Sequence, residues 1–327
     1  MILRFTASPH FDFLAQFADQ IKMPVKDNLL KIPRSMGEGF VRRIVFADDF
    51  RLVMHQYALK EDFVIQRDPT LNMNDFLSIF FYNNEQSLEM KYNEDGNMPF
   101  SQGSNSAVQV TTNDFRSTIR FPANTRTQYI VIGITASRLK NLLSVKSANS
   151  TIRTITTEKA SFLFFESMNA EMKLLLKNIA DTTVEDALNH FYIQIKVLEL
   201  LYLLFRRLSI RENKSYRNIS NTDAEKLMMI RNEILNDLSS PPVLNELAKM
   251  AAMSETKLNQ LFRQTFGDSI FNYFQKARME EAAFLLKQAN RSVSEAGYEL
   301  GFSNLSHFSR LFKKHYGTTP KKYSVEG

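Results

Sequence analysis

Between about Gly39 and Thr135, apolar and polar positions alternate with a period near two, broken at short intervals by turn formers. Phe40-Val41-Arg42-Arg43-Ile44-Val45-Phe46 is followed by Ala47-Asp48-Asp49 and then by Phe50-Arg51-Leu52-Val53-Met54-His55-Gln56-Tyr57. Phe76-Leu77-Ser78-Ile79-Phe80-Phe81-Tyr82 before Asn83-Asn84, an Asp95-Gly96 pair, and Gln128 to Ile134 after Pro122-Ala123-Asn124 continue the pattern. Successive side chains of a strand point to opposite faces, so this period predicts several short strands, each with one inward face. The expected arrangement is an antiparallel β-sandwich or small barrel.

From about Glu158 the apolar spacing becomes helical and predicts one helix over 162–179 and a second over 184–210. In the second, Ile193, Val197, Leu200, Leu201 and Leu204 follow three- and four-residue steps, while Ile195, Leu198, Tyr202 and Phe205 widen the stripe. A helix that is apolar on more than one face needs more than one partner. One face fits the β-domain, and the other fits either the rest of the same chain's core or a second protomer, which would make helix 184–210 the seam of a homodimer. Residues 211–221 are polar and aperiodic and read as a linker, with 213–221 as its narrowest bounds.

Beyond the linker the pattern is wholly helical. Thr222 or Asn221 can cap a helix from Asp223 to about Leu238, stopped by Ser239-Ser240-Pro241-Pro242. Val243 to Ala251 makes a short helix with the small Ala248 inward, Ala252-Met253 a tight turn, and Ser254 caps a helix that Gly267 ends after Phe266. The same grammar returns about fifty residues later as a repeated unit. Ser292 to Leu300 forms the short helix with Gly297 at the small position, Gly301-Phe302 turns, Ser303 or Asn304 caps Leu305–Tyr316, and Gly317 closes it. Between the copies runs a helix from Ile270 to about Gln288, roughly 28 Å long and comparable to the ~34 Å between successive major-groove faces of B-DNA. The fold class is therefore α+β. A β-sandwich or barrel with following helices occupies 1–212 (β-rich 39–135, helical 158–212), and an all-α domain of two helix-turn-helix motifs joined by a long helix occupies 222–327.

Charge changes this picture only locally. The chain carries 41 Lys+Arg and 35 Asp+Glu, a net of +6. Residues 221–327 hold 14 and 12 of these, a net of +2, which leaves +4 for the remainder. The all-α half is thus not the more cationic one. Within it, however, no acidic residue lies between Glu299 and Glu326, while Arg310, Lys313, Lys314, Lys321 and Lys322 do. Such a cationic end suits phosphate neutralisation.

Cysteine is absent, which removes disulfides, thiolate nucleophiles and cysteine-ligated metals. The five histidines stand at 10, 55, 190, 307 and 315, only His55 of them in the strand region, so no metal site, cofactor or catalytic constellation is expected and the chain does not read as an enzyme. The N-terminus has no export signal, and the apolar run Val197–Phe205 is far shorter than the ~20 residues of a membrane span, so a cytoplasmic protein without a membrane partner is expected.

The series Leu247-Ala248, Ser254, Leu258, Leu261-Phe262-Arg263, Phe266-Gly267, Tyr273-Phe274, Arg278-Met279, Ala282 and Leu285-Leu286 resembles the AraC/XylS family of bacterial regulators. Gly301-Phe302-Ser303-Asn304-Leu305-Ser306-His307-Phe308-Ser309-Arg310-Leu311-Phe312-Lys313-Lys314, followed by Gly317-Thr318-Thr319-Pro320, is similar to the family's signature nearly residue for residue. There are two departures from the family pattern. Ala296-Gly297 replaces a more usual aliphatic-Ala pair, and Ser324 stands where Arg is common.

The resemblance implies two recognition helices in adjacent major grooves of double-stranded DNA. Carried over by position, Thr256, Asn259 and Gln260, then Leu305, Ser306, Ser309 and Arg310, face bases, with Arg310 suited to guanine and Asn259 or Gln260 to adenine. Lys257, Arg263, Lys313, Lys314, Lys321 and Lys322 are the phosphate candidates. The family also implies a cupin-like N-terminal domain that binds a small-molecule effector, dimerising helices after it, and activation through RNA polymerase. Gly37-Glu38-Gly39-Phe40-Val41-Arg42-Arg43 with Asp48-Asp49-Phe50-Arg51-Leu52 is similar to siderophore-responsive members. DNA alkyl-repair proteins can carry the same helical tail, but their chemistry needs cysteines this chain lacks. The alternative is a dimeric DNA-binding scaffold or repressor with no small-molecule ligand.

Overall fold

The computed structural model describes residues 1–6, 11–70, 75–84, 89–91, 101–102, 106–144, 149–157, 160–182, 187–211, 216–287, 289 and 291–325. His10, the Asp95-Gly96 turn, the start of the helix expected from Val184, residues 213–215 of the expected linker and Gln288 lie outside them. The chain divides into two compact units, Met1–Glu225 and Lys226–Gly327.

The first unit is built on two sheets. The strands are β1 (Ile2–Thr6), β2 (Leu29–Lys31), β3 (Gly37–Ala47), β4 (Phe50–Leu59), β5 (Phe63–Asp68), β6 (Phe76–Asn83), β7 (Glu89–Lys91), β8 (Ser101–Gln102), β9 (Ser106–Thr112), β10 (Ser117–Phe121), β11 (Arg126–Thr135) and β12 (Leu163–Ser167). A seven-stranded sheet runs β12-β9-β6-β11-β4-β3-β2 and a five-stranded one β1-β5-β10-β7-β8. All pairings are antiparallel except β1 with β5. The helices of this unit are α1 (Phe13–Gln20), α2 (Ala136–Leu143), α3 (Ser150–Thr157), α4 (Ala170–Asp181) and α5 (Ala187–Ser209).

Alternation along the central strands assigns the two faces of the larger sheet. Leu52 and Met54 of β4, Ile79 and Phe81 of β6, and Ile130 and Ile132 of β11 join one core with Ile193, Val197, Leu200 and Leu204 of α5. Each is buried to 2% exposure or less, and full burial of such a side chain stabilises by roughly 1.5–3 kcal/mol. The residues between them, Arg51, Val53 and His55 on β4 and Tyr129, Val131 and Gly133 on β11, line a cavity on the other face.

Two sequence expectations are corrected here. Leu163–Ser167 is not the start of a helix but β12, antiparallel to β9 from Leu163 opposite Thr111 to Ser167 opposite Ala107. Phe162, Leu163, Phe164 and Phe165 are all buried; a short continuous apolar run does not distinguish a strand buried on both faces from a helix, and here the helix begins only at Ala170, where Asn169 caps it by accepting from the Met172 N–H. Helices also occur before Glu158: α1 precedes the strand-rich region, and α2 follows β11 directly from Ala136. In the polar stretch after α5, Arg217, Asn218 and Ser220 are exposed, while three other described residues are packed. Arg211 is buried and bonds Glu166 at 2.8 Å, Tyr216 Oη donates to the Ser161 carbonyl at 3.0 Å, and Ile219 is buried.

In the second unit α6 (Asn221–Asn236), which crosses the division, is followed by α7 (Leu244–Met250), α8 (Glu255–Phe266), α9 (Ile270–Lys287), α10 (Val293–Glu299), α11 (Leu305–Tyr316) and α12 (Pro320–Val325). The cap of α6 is neither Thr222 nor Asn221 but Ser220, whose Oγ accepts from the Asp223 N–H at 3.0 Å. Phe302, Phe308 and Phe312 close a core with Ala282, Leu286 and Ala296. Among the described residues no helix is long and apolar enough to cross a membrane.

Candidate nucleic-acid interface and ligand cavity

The second unit contains the same hydrogen-bonded turn twice. After α7, Ala251 N–H donates to Leu247 O, Ala252 N–H to Lys249 O and Met253 N–H to Ala248 O; after α10, Leu300, Gly301 and Phe302 repeat these bonds to Ala296, Tyr298 and Gly297. The turn residue is left-handed in both, with φ of 46° at Ala252 and 74° at Gly301. The copies then diverge by one residue. Ser254 caps α8 by accepting from the Lys257 N–H, whereas Ser303 is passed over and Asn304 Oδ1 accepts from both Ser306 and His307 N–H groups, at 2.9 and 3.1 Å. Both helices end on a left-handed glycine, Gly267 and Gly317, as expected for a helix whose last carbonyls are satisfied by an αL cap.

These caps fix which face of each helix is left outward. On α8, Leu258, Leu261, Phe262 and Phe266 are buried, Thr256 and Arg263 are exposed, and Lys257, Asn259 and Gln260 are half-buried. On α11, Phe308 and Phe312 are buried, Ser306, Arg310, Lys313 and Lys314 are exposed, and Leu305 and Ser309 are half-buried. Lys321 and Lys322 of α12 are exposed as well. No hydrogen bond or ion pair to a described residue holds the side chains of Arg310, Lys313, Lys314 or Lys321. Lysines and arginines with no acidic neighbour on one face form the electrostatic footprint of a polyanion site.

Between α8 and α11, side-chain contacts of two arginines tie the helices to both turns. The guanidinium of Arg278, on α9, lies 3.8 Å from the Phe302 ring centre, stacks on Phe274 from the same helix and donates to the Leu300 carbonyl, tying α9 to the second turn. Burial lowers its pKa, yet guanidinium stays charged at any physiological pH. Arg231 Nε donates to Tyr273 Oη at 2.8 Å, and Tyr273 packs edge-on against Phe262, bracing the first turn.

The first unit holds a cavity of about 110 Å³ between its sheets. The sequence assigns His55 no ligand role and does not mark this cavity. His55 is buried, stacked on Tyr129 with ring centres 4.0 Å apart, and burial pushes its pKa down to about 3. The missed signal was the phase of the charges: Arg51, Val53 and His55 occupy the same parity along β4, so an arginine and a histidine share the inward face with a valine. Among the described residues no group of His, Cys, Asp or Glu is clustered as metal ligands would be.

Residues 247–325 match the family described as a helix-turn-helix domain. Residues 37–218, more than half of the chain, match the regulatory protein PchR N-terminal domain. An uncharacterized HTH-type transcriptional regulator of Haemophilus influenzae is 36% identical over 80 residues, which is 24% of this chain and 27% of that protein. The Msm operon regulatory protein of Streptococcus mutans is 26% identical over 199 residues, covering 61% and 67%, and the transcriptional activator RhaR of Mannheimia succiniciproducens is 23% identical over 166 residues, covering 51% and 58%. The chain thus spans between about a quarter and two thirds of the length of these relatives. With its two helix-turn-helix copies and its PchR-type N-terminal domain, the chain belongs to the AraC/XylS family of DNA-binding transcription regulators.

Proposed function

We propose that the chain activates transcription by reading two adjacent major-groove segments of duplex DNA, as a homodimer, under the control of a small molecule bound in its first unit. The observation that carries the reading is the doubled turn: each copy leaves one capped helix with a polar outer face, and α9 between them, at 18 residues, is roughly 27 Å long, near the ~34 Å major-groove repeat. Thr256, Asn259, Gln260, Leu305, Ser306, Ser309 and Arg310 are the base-facing set. Lys257, Arg263, Lys313, Lys314, Lys321 and Lys322 take phosphates, since most protein–DNA hydrogen bonds position rather than specify. RNA polymerase is the partner that activation requires, and the name of the Mannheimia relative supports that sign.

The dimer rests on α5. Leu188, Phe191, Ile195 and Tyr202 are 71%, 59%, 42% and 59% exposed, at helical spacing on the side away from the buried Ile193, Val197 and Leu200. A stripe of this kind is stabilised by covering it with a second copy of the same helix. Sedimentation of the full chain is expected to give a dimer and Ile195→Lys a monomer.

Genome-wide footprinting of bound DNA tests the whole reading. A recurrent site with two half-sites about one helical turn apart, upstream of genes whose transcripts fall on deletion, is the expected result. Even coverage without a motif would replace it with an architectural scaffold, and transcripts that rise on deletion would replace activation with repression.

A further inference from the structure

A recognition helix meets base edges with the residues of its N-terminal part, so the direction of its first side chains decides what it reads. In α11 the first residue is Leu305, and its side chain does not stand free. Leu305 Cδ2 lies 2.6 Å from the point where a β-carbon on Gly297 would stand, and Phe308 Cδ1 lies 3.3 Å from the same point. Gly297, inside α10, is buried, and Leu305 is half-buried while its neighbour Ser306 is exposed. The end of the leucine side chain therefore fills the hollow left by the missing β-carbon. The backbone does not require glycine here: Gly297 lies within a helix and has no positive φ, and alanine is the better helix former. What glycine provides is room.

The first copy has a β-carbon at the corresponding place. Ala248 of α7 holds the position of Gly297, and the residue that begins α8 is Glu255. Glu255 is exposed, and its carboxylate accepts from Asn245 Nδ2 at 3.0 Å. Each reading helix thus has its first side chain engaged with the short helix before it. In one copy a hydrogen bond to α7 does this, and in the other a close apolar approach to the glycine of α10.

We infer that Gly297 is a positioning residue that sets the sequence specificity of α11: its hollow draws Leu305 back against α10, away from the bases, and leaves the reading to Ser306, Ser309 and Arg310. This rests on the proposed reading of two major-groove segments and narrows the base-facing set by one residue. It also fixes what a β-carbon at 297 does. The obstructing atom, Leu305 Cδ2, is the far end of a flexible side chain, so Leu305 swings away, while Phe308 has only to yield slightly. The leucine methyls then enter the groove from the first turn of α11. Their partner there is the thymine methyl, the apolar group that base pairs present in the major groove.

Selection of binding sites from a randomised duplex library, followed by isotherms of the full chain on the selected duplex and its single-pair variants, tests it. Leu305→Ala is expected to leave the preference at every pair unchanged to within about twofold, well below the cost of a mismatch at a pair that is read. Gly297→Ala is expected to keep the fold, with a melting temperature no lower than that of the unaltered chain. It should gain a preference of about fourfold for thymine at one pair where the unaltered chain has none, the worth of one buried methyl-sized group. Adding Leu305→Ala to Gly297→Ala should erase that preference. A preference of the unaltered chain that Leu305→Ala removes makes Leu305 a base reader and overturns the inference. The absence of a new preference in Gly297→Ala overturns it too, whether affinity falls on all duplexes alike, as when α11 moves as a body, or does not change. Should Gly297→Ala fail to fold, Leu305→Ala decides alone. If the unaltered chain selects no motif, base reading itself falls and this inference with it, an outcome distinct from a motif that Leu305→Ala alters.

Discussion

The carbonyl oxygen of Ser239 occupies the space that a β-carbon on Gly301 would need: the two positions are 1.9 Å apart. Gly301 is also left-handed, with φ of 74°. Gly301→Ala therefore meets both a backbone clash and an αL penalty, the latter alone worth about 1–3 kcal/mol. We expect it to destabilise the second unit by at least about 2 kcal/mol in urea titration and to abolish DNA retention at temperatures where the unaltered protein still binds. A loss below about 0.5 kcal/mol would mean that the α6–α7 turn simply moves aside.

The first copy solves the same turn with a residue less suited to it. Ala252 holds φ of 46° and is exposed, so glycine there relieves an αL strain of about 1–2 kcal/mol and gives back about 0.4–1 kcal/mol through the freer unfolded chain. Ala252→Gly should leave stability unchanged or raise it by up to about 1 kcal/mol, read as a higher urea midpoint with unchanged slope. A lower midpoint would show that the strain is absent.

The contrast between these two turns explains what the sequence could and could not say. Caps, small positions and terminal glycines are local chemistry, so the doubled helix-turn-helix was legible down to Ala248 and Gly297. The competition between Ser303 and Asn304 for the cap was not, because a one-residue extension of the turn satisfies the same local rules. In the first unit, alternation revealed strands but not their partners: Phe162–Phe165 is apolar throughout and carries no period, and β1 pairs with β5 across some sixty residues. The cavity escaped notice for a similar reason. Arg43, Arg51 and Arg67 lie on three strands, and only the sheet topology brings their charges together.

His55 gives the first unit a pH dependence whose sign is fixed. Its folded pKa is about 3 and its unfolded one about 6.5. Between these values the unfolded chain binds a proton that the folded one does not, so stability is full above about 6.5 and falls as pH drops toward 3. The slope reaches roughly 1.4 kcal/mol per pH unit. Burial also lowers His315, which acts with the same sign, so the reading is the difference between unaltered protein and His55→Asn. Urea titrations at about pH 7 and pH 5.5 should show a smaller decrease in the variant; equal decreases would mean that His55 is protonated in the fold.

Glu166 anchors the end of α5. Its two carboxylate oxygens meet Arg207 at 3.0 Å and Arg211 at 2.8 Å, with the glutamate side chain 11% and that of Arg211 4% exposed. Glu166→Gln keeps the shape but leaves two guanidiniums facing a neutral amide, and breaking a pair so buried destabilises by about 3–5 kcal/mol. The melting temperature of the first unit should fall accordingly. Asp68→Asn, whose arginine partners Arg4 and Arg116 are 64% and 30% exposed, should destabilise by less than about 1 kcal/mol. Similar losses in the two variants would mean that water reaches Glu166.

Arg310 and Lys321 are both exposed cations of the second unit with no described partner, yet they should fail differently when removed. Arg310 stands one turn and a half into α11, behind the cap made by Asn304, where a guanidinium can reach a guanine edge in bidentate fashion, worth about 1–3 kcal/mol of discrimination. Lys321 lies in α12, beyond α11, and on the proposed reading it meets phosphate rather than a base edge. Arg310→Ala should therefore weaken the cognate site about 10- to 100-fold while changing affinity for random duplex far less. Lys321→Ala should weaken both to the same degree and lower the slope of log affinity against log salt by about 1. Binding isotherms on the two duplexes at several salt concentrations separate the cases. Equal loss on cognate and random DNA for Arg310→Ala would move that residue to the phosphate set and leave Ser306 and Ser309 as the base readers of α11.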